Sequence, residues 1–213
     1  MPEPAAPTAA ALAASNAGAP FGVAAGDPRA RPGDGPDGAS AGVSGGVSGR
    51  VSTGGPAGVS AEAFKTVFRR HPAGVAVVAL SHHGRPVGFT ATSVISVSAE
   101  PPLLAFSLAA TSSSWPAVEE CDHLTVSFLA EDQAGISSRF ATSGIDRFAA
   151  GGWSRLPTGE PVIDGAVSWL RASVLQRTPA GGSVLIVLRA VEAGIRPEAA
   201  PLVYVDRRYG GTA

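Results

Sequence analysis

The chain of 213 residues contains one cysteine, Cys121. A single thiol excludes an intrachain disulfide and a cysteine-based zinc site. An excess of charge is also missing: 16 Lys+Arg stand against 17 Asp+Glu, a formal net charge of −1. That balance points neither to nucleic acid nor to an anionic membrane surface. No apolar run reaches the length of a transmembrane helix. The N-terminus carries Glu3 and no early Lys or Arg, and its Ala-rich run is broken by Ser15, Asn16 and Gly18. This matches a signal peptide poorly, so a cytoplasmic protein is expected. No Gly-Lys-Ser/Thr follows the glycine-rich stretches, which removes a P-loop, and no GxGxxG follows a strand, which argues against a Rossmann site. Nor is there a Ser-His-Asp set or a carboxylate pair arranged for acid–base work.

Residues 1–59 have almost no large apolar side chain besides Leu12 and Phe21, and Gly-Val-Ser recurs at 42–44, 46–48 and 58–60. Such a segment cannot bury enough surface to offset its ordering entropy, so 1–59 is expected to be a disordered tail. Residues 60–213 are long enough for one domain with an adequate core.

That domain opens with a helix. Ser60 is a plausible N-cap, Glu62 lies in the first turn, and Phe64, Val67 and Phe68 share one face before Pro72 stops it. Residues 73–80 read as an apolar strand, and Ser81-His82-His83-Gly84 as a turn. With no carboxylate or third histidine close by in sequence, the histidine pair reads as an exposed loop.

The stretch Gly88-Phe89-Thr90-Ala91-Thr92-Ser93-Val94-Ile95 organises the rest. Its hydroxyls could address the edge of a flat heterocycle while apolar neighbours cover the face. They could equally cap their own backbone. Pro101-Pro102 marks a strand boundary before the apolar strand ending at Leu108. Ser112, Ser113 and Ser114 precede Trp115-Pro116, a helix start where free N–H groups can hold a phosphate or be capped by one serine. Strands are expected at 124–129, 166–177, 184–191 and 202–205. A helix is expected over 131–143, with Gly144 as its C′ residue. Hairpin-like connections favour an antiparallel barrel. Cys121, beside Glu119, Glu120 and Asp122, reads as packing, since nearby carboxylates raise a thiol pKa. Trp115, Trp153 and Trp169 read as core or dimer contacts.

The co-linear order Pro-Ala-Gly-Val-Ala-Val-Val, Gly-Phe-Thr-Ala-Thr-Ser, Glu-Pro-Pro-Leu, Leu-Thr-Val-Ser-Phe-Leu, Ser-Arg-Phe-Ala, Asp-Arg-Phe and Tyr-Val-Asp-Arg-Arg-Tyr resembles the FMN-binding split-barrel flavin reductases. It is most similar to the actinorhodin-type reductases that serve polyketide-tailoring monooxygenases. The resemblance spans roughly 62–209. It implies a mainly β fold, a six-stranded antiparallel Greek-key split barrel with flanking helices, assembled as a homodimer. It implies FMN as the flavin, NADH or NADPH as hydride donor, and a flavin-dependent monooxygenase as partner. Thr90, Ala91, Thr92 and Ser93 would hold the ring edge. Ser107, Leu108, Ser112, Ser113 and Ser114 would take the ribityl chain and phosphate. Ser127 stands at a strand position of the site, and Ser138, Arg139 and Phe140 would close the pocket. Arg207 and Tyr209 fall near the active-site mouth.

One departure accompanies the likeness. Where the family has Gly-Asp-His on the nicotinamide side, this chain has Gly181-Gly182-Ser183, and Leu188-Arg189 replaces a Gly-Glu. Serine donates a hydrogen bond but carries no positive charge, so weakened nicotinamide affinity is expected. A different small substrate on the same barrel, or a non-catalytic flavin carrier, are the alternatives to a reductase.

Overall fold

The computed structural model describes residues 58–211. The expected tail thus lies outside the described residues except for Gly58 and Val59. Helix α1 spans Ala61–Arg69; its residues up to Phe68 and the chain from Arg69 onward fall in separate compact units, each described by itself. In α1 the Ser60 hydroxyl accepts the Ala63 N–H at 3.2 Å, as an N-cap should. The Phe64 and Phe68 rings meet one turn apart with centroids 4.6 Å apart. No residue of α1 is buried.

The second unit is mainly β, with twelve strand segments. They are β1 (Ala73–Gly74), β2 (Ala76–His82), β3 (Arg85–Ala91), β4 (Ile95–Ser98), β5 (Leu103–Ala109), β6 (His123–Phe128), β7 (Trp153–Arg155), β8 (Pro161–Ile163), β9 (Ser168–Ala180), β10 (Ser183–Ile195), β11 (Val203–Val205) and β12 (Arg208–Gly210). Two short helices join them, α2 (Trp115–Glu120) and α3 (Ala134–Ala141), the latter preceded by a 3-10 turn at Glu131–Gln133. Seven strands form one sheet in the order β3-β2-β6-β9-β10-β5-β4, and every described pairing within it is antiparallel.

This sheet is open in its hydrogen bonding, with β3 and β4 as edges, yet strongly curled. Between β3 and β5 lie four strands, so a flat sheet would hold the two about 24 Å apart. Their Phe89 and Phe106 ring centroids are 5.9 Å apart. The main core fills the concave side with Val78, Leu80, Phe106, Leu124, Ile186 and Leu188 among its members. β2 shows why its sequence is apolar without alternation. Ala76, Val78 and Leu80 face this core, while Val77 and Ala79 face a second one with Leu129, Phe140, Phe148 and Ile163.

Several expected elements need correction. The helix expected over 131–143 ends at Ala141, because Thr142 turns extended with ψ 132° and donates its N–H to the Arg139 carbonyl. Gly144, with φ 77°, therefore lies beyond the cap rather than at C′. The β7–β8 hairpin was not expected. β10 runs to Ile195, past the expected end at Val191. The chain adds a further short strand, β12, after the last strand expected from sequence. Asp206 and Arg207, at φ 47° and 61°, form a left-handed turn that folds β12 back on β11.

Candidate functional site

The candidate residues gather around β3 and the segment after it, in three hydroxyl clusters. The first holds the two sides of the curled sheet together. The Ser93 hydroxyl lies 3.1 Å from both the N–H and the carbonyl oxygen of Ser107, accepting from one and donating to the other. Leu108 follows on β5, buried at the core side. β10 pairs alongside, with Ser183 opposite Ala109 and Val184 opposite Leu108. Ser183 is half-buried and also opposes Ala180, across the Gly181-Gly182 turn. Thus Ser183 and the Ser107–Leu108 pair share neighbouring strands.

The second cluster docks α3. Thr90 is buried and its hydroxyl donates to the Ser137 carbonyl at 2.6 Å. Ser137 in turn takes the Tyr209 hydroxyl at 3.1 Å, and Ser138 lies 3.3 Å from the same phenol. The structure therefore brings Thr90, Ser138 and Tyr209 together through Ser137, which was not singled out from sequence. Ala91, next to Thr90, is buried. Thr92 is half-exposed. Arg139 donates to the Gly151 carbonyl at 2.7 Å and lies 5.5 Å from the Phe140 ring centroid. Phe140 itself is fully buried, edge-on to Phe148 at 4.9 Å. It anchors α3 and presents no accessible face.

The third cluster has a cation at its centre. Ser114 is buried, and its hydroxyl accepts from Arg147 Nη1 at 3.3 Å. It makes no side-chain cap bond to α2, although it is the N-cap residue. Ser112 accepts the Ser114 N–H at 3.3 Å, and Ser113 is exposed. Arg147 also donates from Nη1 to the Gly88 carbonyl at 2.7 Å and from Nε to the Thr142 carbonyl at 2.9 Å. Nη2 takes part in none of these bonds. Among the described residues the ion pairs use His82, His83 and Arg171, not Arg147. Its neighbour Asp146 is turned away, accepting the Phe148 N–H at 3.0 Å. Burial lowers the Arg147 pKa below its ordinary value. A half-buried guanidinium with no carboxylate partner, bonded to Ser114, has the chemistry to pair with an anion.

Arg147 was not singled out from sequence. The usable signal was its position inside the Asp-Arg-Phe motif.

Two other candidates sit elsewhere. Ser127 is fully buried on β6, where its hydroxyl accepts the Ile163 N–H at 3.2 Å and fixes β8. Arg207 is exposed on the β11–β12 turn. Cys121 is buried as expected, but burial is the main cause raising its thiol pKa. Asp122 adds a smaller push, against the lowering effect of Arg177. The histidine pair departs from its reading: the fold carries Glu120 to within 2.8 Å of His82 Nε2.

Comparison with known proteins gives one consistent result. The family described as flavin reductase like domain matches residues 68–213. An NADH:FMN oxidoreductase of Rhodococcus qingshengii is 45% identical over 157 residues, 71% of this chain and 82% of that one. The reductase subunit HsaB of a flavin-dependent monooxygenase from Rhodococcus jostii is 34% identical, over 74% of this chain and 83% of its own. Among solved structures, the Streptomyces globisporus C-1027 NADH:FAD oxidoreductase SgcE6, in complex with NAD and FAD fragments, is similar with a TM-score of 0.68. It is 26% identical, over 70% of this chain and 91% of that one.

Proposed function

The chain belongs to the flavin reductase-like family, and we propose that it is an NAD(P)H-dependent FMN reductase supplying reduced flavin to a partner monooxygenase. The observation that carries the flavin site is the Arg147–Ser114 contact, beside Gly88 on β3. It provides a positive charge and hydroxyl groups where a terminal phosphate would sit. Arg147 Nη2 and the Ser112 and Ser113 hydroxyls hold that phosphate. Ser107 and Leu108 border the ribityl chain, and the backbone from Ala91 to Ser93, with Thr92, addresses the ring edge. The Thr90 proton is committed to Ser137, so Thr90 sets the position of α3 and of Ser138.

Bound FMN would supply the ring that takes up a hydride from a reduced nicotinamide. The protein needs no nucleophile for that step. Its residues orient two flat molecules and keep water away, which is the expected protein share of such chemistry. Ser138 and Tyr209 flank the nicotinamide side from α3 and β12. Ser183 offers one hydroxyl there in place of an imidazole.

The finer architecture belongs to the same reading. The curl that brings Phe89 against Phe106 fits a six-stranded Greek-key split barrel, with β4 as an added edge strand. A homodimer is proposed from the exposed Leu175 and Leu185 on β9 and β10, and Ile95 and Val97 on β4. Among the described residues no helix is long and apolar enough to cross a membrane, and we place the protein in the cytoplasm. Residues 60–213 form the flavin-binding domain. The partner belongs to secondary metabolism, in line with the actinorhodin-type likeness of the motifs.

Ser183 supports a second reading, a flavin protein with weak nicotinamide use. NADH oxidation by the purified protein, with and without added FMN, separates the two. Turnover that saturates with FMN is expected. Tight FMN binding with no turnover on NADH or NADPH would favour the carrier, and no flavin binding would end both readings.

A further inference from the structure

We propose that His82, His83 and Glu120 form a binding site for one borderline divalent cation, with Zn2+ as the best match. His82 closes β2, and His83 begins the two-residue turn to β3. Successive strand residues ordinarily point to opposite faces. Here His83 at φ 50° and Gly84 at φ 75° make the doubly left-handed turn of a tight hairpin. Asn or Gly fills the first of these positions more readily than a bulky ring. The turn sets the two imidazoles side by side, centroids 4.0 Å apart.

Glu120, the last residue of α2, completes the set from a distant part of the chain. Its Oε2 lies 2.8 Å from His82 Nε2 and 3.8 Å from His83 Nε2. All three donor atoms lie within 4.8 Å of one another. Ligands around tetrahedral zinc, each about 2.1 Å from the metal, stand about 3.4 Å apart. The present separations bracket that value, so small rotamer changes admit the ion. Two neutral imidazoles and a carboxylate suit zinc, with water as fourth ligand. The hollow beside them is bordered by Ser81, Asp122 and His123. His83 and Glu120 are mostly exposed, so an ion reaches the site without any opening of the core. The metal would tie the β2–β3 turn to the end of α2. This site is independent of the flavin reading and goes beyond it.

Calorimetric titration of the tag-free full-length protein with zinc chloride tests the proposal. One equivalent binding in the micromolar range is expected. His83→Asn and Glu120→Gln should each weaken it roughly tenfold or more, while the metal-free variants keep a cooperative melting transition. His71→Asn should leave the affinity unchanged. Loaded with Cu2+ instead, the protein should show coupling to two imidazole nitrogens in its electron paramagnetic resonance spectrum, and to one in His83→Asn. Absence of saturable zinc binding at millimolar concentration would overturn the site. So would binding that survives both substitutions, or a copper spectrum indifferent to His83.

Discussion

Replacing Arg147 with methionine separates two duties that the guanidinium combines. Its three bonds tie the carbonyl of Gly88 on β3, the carbonyl of Thr142 after α3 and the hydroxyl of Ser114 before α2. A hydrogen bond from a charged donor contributes about 1.5–3 kcal/mol net. The Ser114 contact, at 3.3 Å, is the weakest by length. Burying the cation works in the opposite direction, as its lowered pKa indicates. The expected loss is therefore below the simple sum, about 2–4 kcal/mol, read as a lower urea midpoint at unchanged slope. The phosphate duty has its own signature. Loss of one charged bond to phosphate should weaken FMN binding about 10- to 100-fold. Riboflavin, which has the same ring and no phosphate, should bind Arg147→Met almost as it binds the parent. Fluorescence titration of both flavins reads the ratio. If FMN and riboflavin weaken together, the effect is structural and the phosphate assignment is wrong. If stability is unchanged, the bracing role is wrong. Arg147→Lys should recover part of the FMN preference, because it restores charge without the planar fork.

Other substitutions test neighbouring parts of the argument. A Cβ at Gly88 would stand 3.0 Å from Phe140 Cε1, Phe148 Cζ and the Val78 carbonyl. Gly88→Ala should destabilise by about 1–3 kcal/mol, and an unchanged thermal midpoint would show that the aromatic pair has slack. Glu160 pairs with Arg171 at 2.8 Å with both side chains largely buried. Burial alone would raise its carboxyl pKa, but bonds from Arg171, Thr158 and the backbone leave it below the ordinary value. A depressed carboxyl contributes stability above the unfolded pKa and loses it as pH falls through the folded value. Glu160→Gln should thus cost about 3 kcal/mol at neutral pH and flatten the acid limb of the stability profile. Parallel profiles for parent and variant would refute this. Ser183→His should lower the nicotinamide KM, since the small Ala109 and Ala180 opposite it leave space for a ring. An unchanged or raised KM would count against the role assigned to that position.

The parts of the fold that could be read early were those with strong local signals. Ser60 and Glu62 announced α1, the run 73–80 announced an apolar strand, and Pro101-Pro102 marked the strand boundary before β5. Elements whose signals were short or mixed escaped. β7 and β8 are three residues each and are held by the rest of the domain, by Ser127 at Ile163 and by Thr125 at the Pro161 carbonyl. Gly144 looked like a helix stop, yet the turn at Thr142 came first, where the Arg147 side chain takes the free carbonyl. In the site, hydroxyl-rich stretches were legible as composition. Which hydroxyls were already committed was not.

Composition, motif order and strand periodicity by themselves determined the class of this domain and the segments that carry its candidate site residues. They carry that information because burial patterns and turn residues are written locally, one side chain at a time. Tertiary structure alone decided what each polar group does. It placed Thr90 on Ser137, turned Ser127 and Phe140 inward, left Arg147 without a carboxylate beside Ser114, and carried Glu120 to the histidine pair. Those outcomes depend on distances between segments tens of residues apart, and such distances exist only once the sheet has curled and the helices have docked.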